Sequence, residues 1–267
     1  MRFYLSYFKL RFISSLQYKA AAIAGISTQI FFGLVFIMVY LAFYESGSSN
    51  YPMNVNELVS YLWLNQCLFS LVYMFYKDRE IFDLIKSGNI AYELVRPKKL
   101  YFMWYCKIIG QRLSKVVLRC IPGLIFAMLL PSPYCISLPY SFSNFIMFII
   151  TLIIGSLLMT SLITLFHIIT LYSLDEKGIF AFFGVIGDIL SGGIVPIPLF
   201  PEIMQKITNV LPFRYVSDLS FRVYSNNITI SESFTGLIVQ IVWLIITILI
   251  GNLLLNKALK KVVVQGG

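Results

Sequence analysis

The sequence predicts an all-α integral membrane protein with six transmembrane helices. Three observations carry this prediction: the mean hydropathy is +0.82, only 12% of the 267 residues are charged, and apolar runs of helical length follow one another along the chain. Soluble domains carry about a quarter charged residues, so half that density leaves little surface for water. A span requires about 20 apolar residues, which leaves no room for a folded domain outside the membrane. We therefore expect any soluble catalytic module to be another polypeptide.

The segment 1–19 precedes the first span and mixes basic with aromatic residues but contains no acid. This composition predicts a cytoplasmic interfacial helix on the membrane surface. A transmembrane domain is predicted for residues 20–255. Arg119 and Pro122 interrupt its third span, and several glycines and prolines exclude a regular helix over the whole of the fifth. The predicted spans are 20–44, 58–76, 116–131, 142–172, 179–200 and 233–255.

The positions of the basic residues predict the orientation. With the amino terminus inside, all of the 21 Lys and Arg residues except Lys206, Arg214 and Arg222 lie on the cytoplasmic side. Positive charge accumulates in cytoplasmic loops, so we expect both termini, including the basic tail 256–267, and the loop 77–115 in the cytoplasm. The same asymmetry accounts for the net charge of +9 without a nucleic-acid partner.

The loop 77–115 is the largest hydrophilic segment, and its first part predicts two short helices. Ile81 and Ile85 recur at helical spacing, Gly88 can end the first helix, and Pro97 stops the second. A short amphipathic helix that lies parallel to the membrane can fit a cleft on a cytosolic partner. The alternative is a solvated basic loop, and the spacing alone does not decide between the two.

The order of an acid, an apolar turn, Ser-Gly and Glu-Leu-x-x-x-Pro in Glu80–Pro97 resembles the coupling region of type 2 ATP-binding cassette (ABC) permeases. The fifth span ends in Pro-x-Pro at Pro196 and Pro198, and the amphipathic segment 200–226 follows, as in that family's layout. The Leu-Pro-Phe-Arg-Tyr of residues 211–215 resembles the small, six-span, permease-only export subfamily. The resemblance covers nearly the whole chain and rests on the order of these motifs.

The resemblance implies a half-transporter that exports an amphipathic, lipid-like, drug-like or peptide substrate across a cell membrane, most often bacterial. Two such permeases, identical or homologous, would pair, and two ABC ATPase subunits would dock on their cytoplasmic loops. ATP and Mg would bind to those partners, because this chain has no G-x-x-x-x-G-K-[ST] motif with which to hold a nucleotide. We expect no catalytic residue, cofactor or metal on the chain itself. The residues implied to couple to the ATPase are Glu80, Ile81, Asp83, Ile85, Gly88, Tyr92, Glu93, Arg96 and Pro97.

Polar groups inside the predicted spans are candidates for the transport pathway or its gate. Asp188 is the only acid in a predicted span, where a charge is costly enough to indicate function, although a backbone group can also satisfy a structural carboxylate there. Asn65 and Gln66 can contact substrate or bond to neighbouring helices. His167, the only histidine, is predicted to be a neutral imidazole in the core. The pathway or gate candidates are Asn65, Gln66, Asp188, Pro196, Pro198 and Arg214.

The resemblance implies that the segment 200–226 forms external re-entrant helices that close the pathway, and the amphipathic spacing of this segment also suits a helix on the outer leaflet. Within it, Arg214, Asp218 and Arg222 follow at steps of four residues and predict an ion-pair ladder on one helix face. Two alternative functions stay open: an ABC permease that imports, and an ion-coupled secondary carrier that uses Asp188. The carrier needs no ATPase, so it predicts gradient-driven uptake by this chain alone.

Overall fold

The computed structural model describes residues 2–47, 51–95, 98–173 and 176–260. Over these residues the protein consists of α-helices and one 3-10 turn, with no strand, which confirms the predicted all-α class. The helices are α1 Arg2–Leu16, α2 Lys19–Ser46, α3 Val55–Cys67, α4 Phe69–Val72, α5 Arg79–Lys86, α6 Ile90–Leu94, α7 Leu100–Leu129, α8 Phe142–Ser173, α9 Glu176–Leu190, α10 Glu202–Val210, α11 Arg214–Tyr224 and α12 Ile230–Leu259, with the 3-10 turn at Ile197–Leu199.

Three of these helices, α2, α8 and α12, are long and apolar enough to cross a membrane, with 28, 32 and 30 residues. They contain the first, fourth and sixth predicted spans. Helix α8 lies at the centre of the fold, where it packs against α7, α9, α11 and α12. Helices α2 and α12 bury few of their apolar side chains, and many of these side chains are exposed. Such surfaces suit contact with lipid or with another membrane protein, because lipid tails are as apolar as these side chains.

The predicted second span, 58–76, is not one continuous helix. It is divided between α3 and α4, and α4 already ends at Val72. The side chain of Arg112 explains this end, because its Nη2 donates to the carbonyl oxygens of Leu71 and Tyr73 at 2.6 and 2.9 Å. Carbonyl groups at a helix end need such partners when the helix does not continue. A buried arginine of a neighbouring helix thus ends this helix before its predicted boundary.

The predicted third span, 116–131, is the second half of a longer helix, because α7 begins at Leu100. The predicted loop 77–115 is therefore wrong over its last part, which is helical. Its basic residues suggested a solvated loop, but α1 packs along α7, and Lys107 and Arg112 are buried. Lys107 is buried in ion pairs with carboxylates, and Arg112 is buried in hydrogen bonds to backbone carbonyls, so neither charge indicates a solvated loop.

The predicted fifth span, 179–200, has the broken helix that its composition indicates. Helix α9 ends at Leu190, and turns lead to the 3-10 helix Ile197–Leu199. The short helices α10 and α11 follow. Helix α11 does not lie apart from the bundle: it packs against α3, α8 and α12. The last helix starts at a capping box in which Thr229 and Glu232 bond reciprocally to each other's backbone N–H.

Candidate functional site

The two short helices predicted between the second and third spans are present as α5 and α6. Asp78 starts α5, since its Oδ1 accepts the backbone N–H of Ile81 at 3.1 Å, an N-cap that satisfies one free donor of the first turn. Ile81 and Phe82 are buried, whereas Asp83 is exposed. Gly88, with φ of 71°, separates α5 from α6 in a conformation that favours glycine. Helix α5 thus has one face against the protein and one face open.

A chain of charged side chains ties α5 to α1 and α7. Lys107 Nζ lies 2.8 Å from Asp78 Oδ1 and 2.6 Å from Glu80 Oε2, and Arg11 Nη1 lies 3.0 Å from that same Glu80 oxygen. The side chains of Lys107 and Asp78 are each only 3% exposed, while that of Glu80 is 58% exposed. Removing one member of a buried pair leaves an uncompensated charge, which is strongly destabilising. The pair between Asp78 and Lys107 therefore anchors the start of α5 to α7.

Two opposing effects determine the pKa of Glu80, the exposed member of these ion pairs. Partial burial opposes the charged form of its carboxyl, but the hydrogen bonds and positive charges of Lys107 and Arg11 outweigh that effect. The pKa of Glu80 is therefore held below its usual value. At neutral pH the carboxylate is charged and bridges α1 and α7.

His167 connects α5 to the central helix α8. Its ring is fully buried, and its Nε2 accepts the backbone N–H of Asp78 at 3.1 Å. Because Nε2 is an acceptor, the proton sits on Nδ1, which donates to the carbonyl oxygen of Ile163 at 2.8 Å. The ring also stacks on Phe82, with 4.8 Å between centroids. Both nitrogens bond to backbone groups, which agrees with the neutral core imidazole that the sequence predicts.

The outer face of α5 and α6 is open. Tyr92 and Val95 are 74% and 84% exposed. The end of α5 is held to the start of α9, because Lys86 Nζ lies 3.6 Å from Glu176 Oε1. Tyr92 lies on α6 and Val95 directly follows its end, and exposed side chains of this kind form a surface that a protein partner can cover.

The predicted coupling residues therefore separate into groups. Ile81 and Ile85 pack towards the core, Glu80 forms ion pairs, and Glu93 is half-buried. Asp83 and Tyr92 point outwards. Arg96 and Pro97 lie outside the described residues. The inward group fixes the helices, and the outward group is the part that a partner can touch.

Asp188, the acid of the predicted fifth span, bonds to a backbone group. Its Oδ1 accepts the N–H of Met74 at 2.8 Å. Met74 belongs to the extended segment between α4 and α5, and this segment also receives the bond from Arg112 to the carbonyl of Tyr73. The carboxylate therefore holds this segment against the end of α9.

A second buried polar cluster lies around Asp218 of α11, which is fully buried. Its carboxylate accepts the hydroxyl of Tyr61 at 3.1 Å and pairs with Arg214 Nε at 3.2 Å and Arg222 Nη1 at 3.9 Å. The predicted ion-pair ladder is thus present, but its carboxylate faces the protein interior. The hydroxyl of Tyr61 also lies 3.3 Å from the carbonyl oxygen of Gly192, so the cluster joins α3, α11 and the turn after α9.

The other pathway candidates lie around the same turn. Asn65 Nδ2 donates to the carbonyl oxygen of Gly193 at 2.7 Å, and Gln66 is buried on the same helix. Pro196 and Pro198 are buried at the 3-10 turn. The turn after α9 is therefore packed on α3 and α11. The side chain of Asn65 contributes to this packing by its bond to the backbone of the turn.

The sequence did not single out several residues of these clusters as functional candidates. In the sequence analysis, Asp78, Lys107 and Arg112 belong to the hydrophilic loop 77–115, and Arg11 belongs to the predicted interfacial helix. A signal for Asp78 was available, because an acid three residues before a helical apolar pair is typical of an N-cap. Nothing local marked Lys107, since its partners come from a different segment of the chain.

Comparison with known proteins identifies the family. The model of the family described as ABC-2 family transporter protein matches residues 30–266 of this chain. No curated protein matches the sequence. The matched range includes the ion-paired helix α5, the central helix α8 and the cluster around Asp218. This chain therefore belongs to the ABC-2 family of transporter proteins.

Proposed function

We propose that this protein is the permease subunit of an ATP-driven ABC exporter in the plasma membrane of a bacterial cell. Family membership makes it a membrane transport subunit and implies association with ABC ATPase subunits. We further propose two ATPase copies, which bind ATP and Mg, and a second permease, homologous or identical. The exposed apolar sides of α2 and α12 offer surfaces for that second permease and for lipid.

The proposed topology has six spans and both termini in the cytoplasm. Helices α2, α8 and α12 form the first, fourth and sixth spans, and α3 with α4 forms the second. The second half of α7 forms the third, and α9 with the turn that follows it forms the fifth. This arrangement places α1, α5 and α6 on the cytoplasmic side and α10 and α11 on the external side. The distribution of Lys and Arg supports it.

The observation that carries the proposal is the attachment of α5 to three other helices. The buried pair Asp78–Lys107 fixes α5 to α7, Glu80 links it to Arg11 of α1, and the bond from the Asp78 N–H to His167 links it to α8. A displacement of α5 by a partner is therefore passed directly to helices that cross the membrane. Access to the substrate then switches by rigid-body motion of packed helices.

We propose that the turn after α9 and helix α11 form the external gate, with Asn65, Gln66, Asp188, Pro196, Pro198 and Arg214 near the pathway. The few charges and many apolar side chains suit an amphipathic or lipid-like substrate. The bond from the Met74 N–H to Asp188 favours a positioning role for this carboxylate over ion coupling, because the group already has a fixed backbone partner.

Docking of the ATPase on the outer face of α5 and α6 can be tested by photo-crosslinking. A photoreactive phenylalanine replaces Tyr92 in one variant and Ile203 of α10 in a control, and both native side chains are 74% exposed. After co-expression with the ATPase, we expect a covalent adduct from position 92 and none from position 203. Equal adducts at both positions, or none at position 92, would contradict the proposed docking face.

The transport function itself requires reconstitution. Proteoliposomes that contain this permease, its ATPase and a second permease should move substrate only when ATP is supplied. Proteoliposomes that contain this chain alone should show no uptake when a proton or sodium gradient is imposed. Gradient-driven transport by the chain alone would instead establish the secondary carrier.

A further inference from the structure

A cavity of about 360 Å³ lies between the α1–α2 junction and α7. Its volume is in the range of small-molecule sites, which begins at about 300 Å³. One part of its lining is polar, with Tyr76, Lys115 and Arg119, and another is apolar, with Ala21, Ala22 and Leu118. The cavity therefore offers basic and apolar contacts side by side, and none of the functions described above uses it.

The positive charges of this cavity form no ion pair with the residues that the structure describes. Lys115 and Arg119 lie one helical turn apart on α7, and none of the ion pairs among the described residues includes either of them. Lys115 Nζ instead lies 4.7 Å from the centroid of the Tyr76 ring. Arg112, one turn earlier, lies over the same ring at 5.3 Å. Partly buried cations of this density favour an anionic ligand.

The guanidinium group of Arg119 has a hydrogen-bond donor without a partner among the described residues. Its Nη2 donates to the carbonyl oxygen of Ala21 at 3.0 Å, while its Nε is buried without a hydrogen-bond partner among the described residues. The guanidinium lies against α2 at Gly25, where a Cβ atom would come within 2.3 Å of Arg119 Cζ. A planar guanidinium with donors left over is well suited to bind the oxygens of a phosphate group.

We propose that this cavity binds the phosphate headgroup of an anionic phospholipid of the cytoplasmic leaflet. Lys115 and Arg119 would contact the phosphate, and the apolar lining continues onto α2, where Ile23 is 66% exposed and an acyl chain can lie. Clusters of basic residues at the cytoplasmic surface attract anionic lipids. Inorganic phosphate has the same anionic oxygens, but it has no acyl chain that could contact the apolar part of the lining. The leaflet follows from the proposed orientation of the chain.

The test compares spin-labelled phosphatidylglycerol with spin-labelled phosphatidylcholine in membranes that contain the purified protein. The fraction of immobilised label gives the preference for the anionic lipid. We expect Lys115→Gln/Arg119→Gln to lower this preference about 30-fold, because each basic residue contributes about 1 kcal/mol. The control Lys257→Gln/Lys260→Gln removes the same charge from the end of α12 and should leave the preference unchanged. An equal loss in both double variants would reduce the effect to general surface attraction and overturn the proposal.

Two further measurements separate the site from a folding defect and from a free anion. Ala21→Trp keeps both positive charges but places a bulky side chain in the lining of the cavity, so it should also remove the preference; an unchanged preference would overturn the proposal. Inorganic phosphate, at an ionic strength matched with chloride, should not displace the labelled lipid. Displacement would show a site for soluble anions instead. The assay contains no ATPase and no ATP, so its result does not depend on the proposed ATP-driven export.

Discussion

The pair between Asp78 and Lys107 leads to a prediction of large effect. Lys107→Met removes an ammonium group that is 3% exposed and lies 2.8 Å from a carboxylate that is equally buried. Methionine preserves most of the side-chain volume, so the main consequence is a buried and unpaired Asp78 charge. Breaking a buried pair in this way costs about 3–5 kcal/mol. The contribution of Glu80 is far smaller, because an exposed pair is worth about 0–1 kcal/mol.

The assay is unfolding of the purified protein in detergent, followed by tryptophan fluorescence, to which Trp104 contributes. This side chain is buried one helical turn before Lys107 and so reports on the same part of α7. The matched control is Arg11→Gln, which removes the exposed pair with Glu80. We expect Lys107→Met to lower the free energy of unfolding by about 3–5 kcal/mol and the control to lower it by about 1 kcal/mol or less.

The double variant Lys107→Met/Asp78→Asn completes a double-mutant cycle with the two single variants Lys107→Met and Asp78→Asn. Asparagine caps a helix as well as aspartate does, so Asp78→Asn preserves the start of α5 while it removes the charge. The double variant should therefore be more stable than Lys107→Met alone, because no unpaired charge stays buried. If Lys107→Met cost no more than Arg11→Gln, or if the two changes in the double variant were simply additive, the pair would not anchor α5 as described.

Three other predictions concern smaller effects. The pKa of Glu80 is lowered in the folded protein, so its ion pairs contribute their full stability at pH values above the ordinary pKa of 4.5 and lose it as the pH falls. Between about pH 5 and about pH 3, the free energy of unfolding should therefore decrease more in the native protein than in Glu80→Gln. Tyr61→Phe removes a donor to the buried Asp218 and should lower the free energy of unfolding by about 1–3 kcal/mol, whereas no measurable change would place that carboxylate in contact with water. Gly155→Ala puts a Cβ atom 2.4 Å from the carbonyl oxygen of Val216, so thermal unfolding should show a loss of about 1–3 kcal/mol, and an unchanged melting temperature would refute this close packing of α8 on α11.

Local signals in the sequence were sufficient for much of the fold. The apolar runs located α2, α8 and α12, because a long uninterrupted run has few alternatives to a helix. Gly88 correctly marked the break between two short helices, and the glycines and prolines after Leu190 marked the broken fifth span. These features depend on residues that are close together in the chain, so spacing and composition reveal them.

Long-range contacts were beyond the reach of such signals. The end of α4 is set by Arg112, and the burial of Lys107 depends on α1 and on Asp78, which lie in other segments. Basic residues in these positions look the same in a sequence whether they face water or a buried carboxylate. For this reason the extent of α7 was predicted wrongly, and the ladder around Asp218 was correctly spaced but not recognised as buried.

The sequence by itself determined that this chain belongs in a membrane, that it is helical, and that its order of motifs resembles the ABC-2 transporter family. Hydropathy and spacing carry that information, because they act over one helix at a time. Only the tertiary structure decided that Asp78 pairs with Lys107, that the carboxylate of Asp218 is buried, and which side of α5 is open. Those properties arise from the packing of distant segments, where burial strengthens each charge interaction and makes its loss costly.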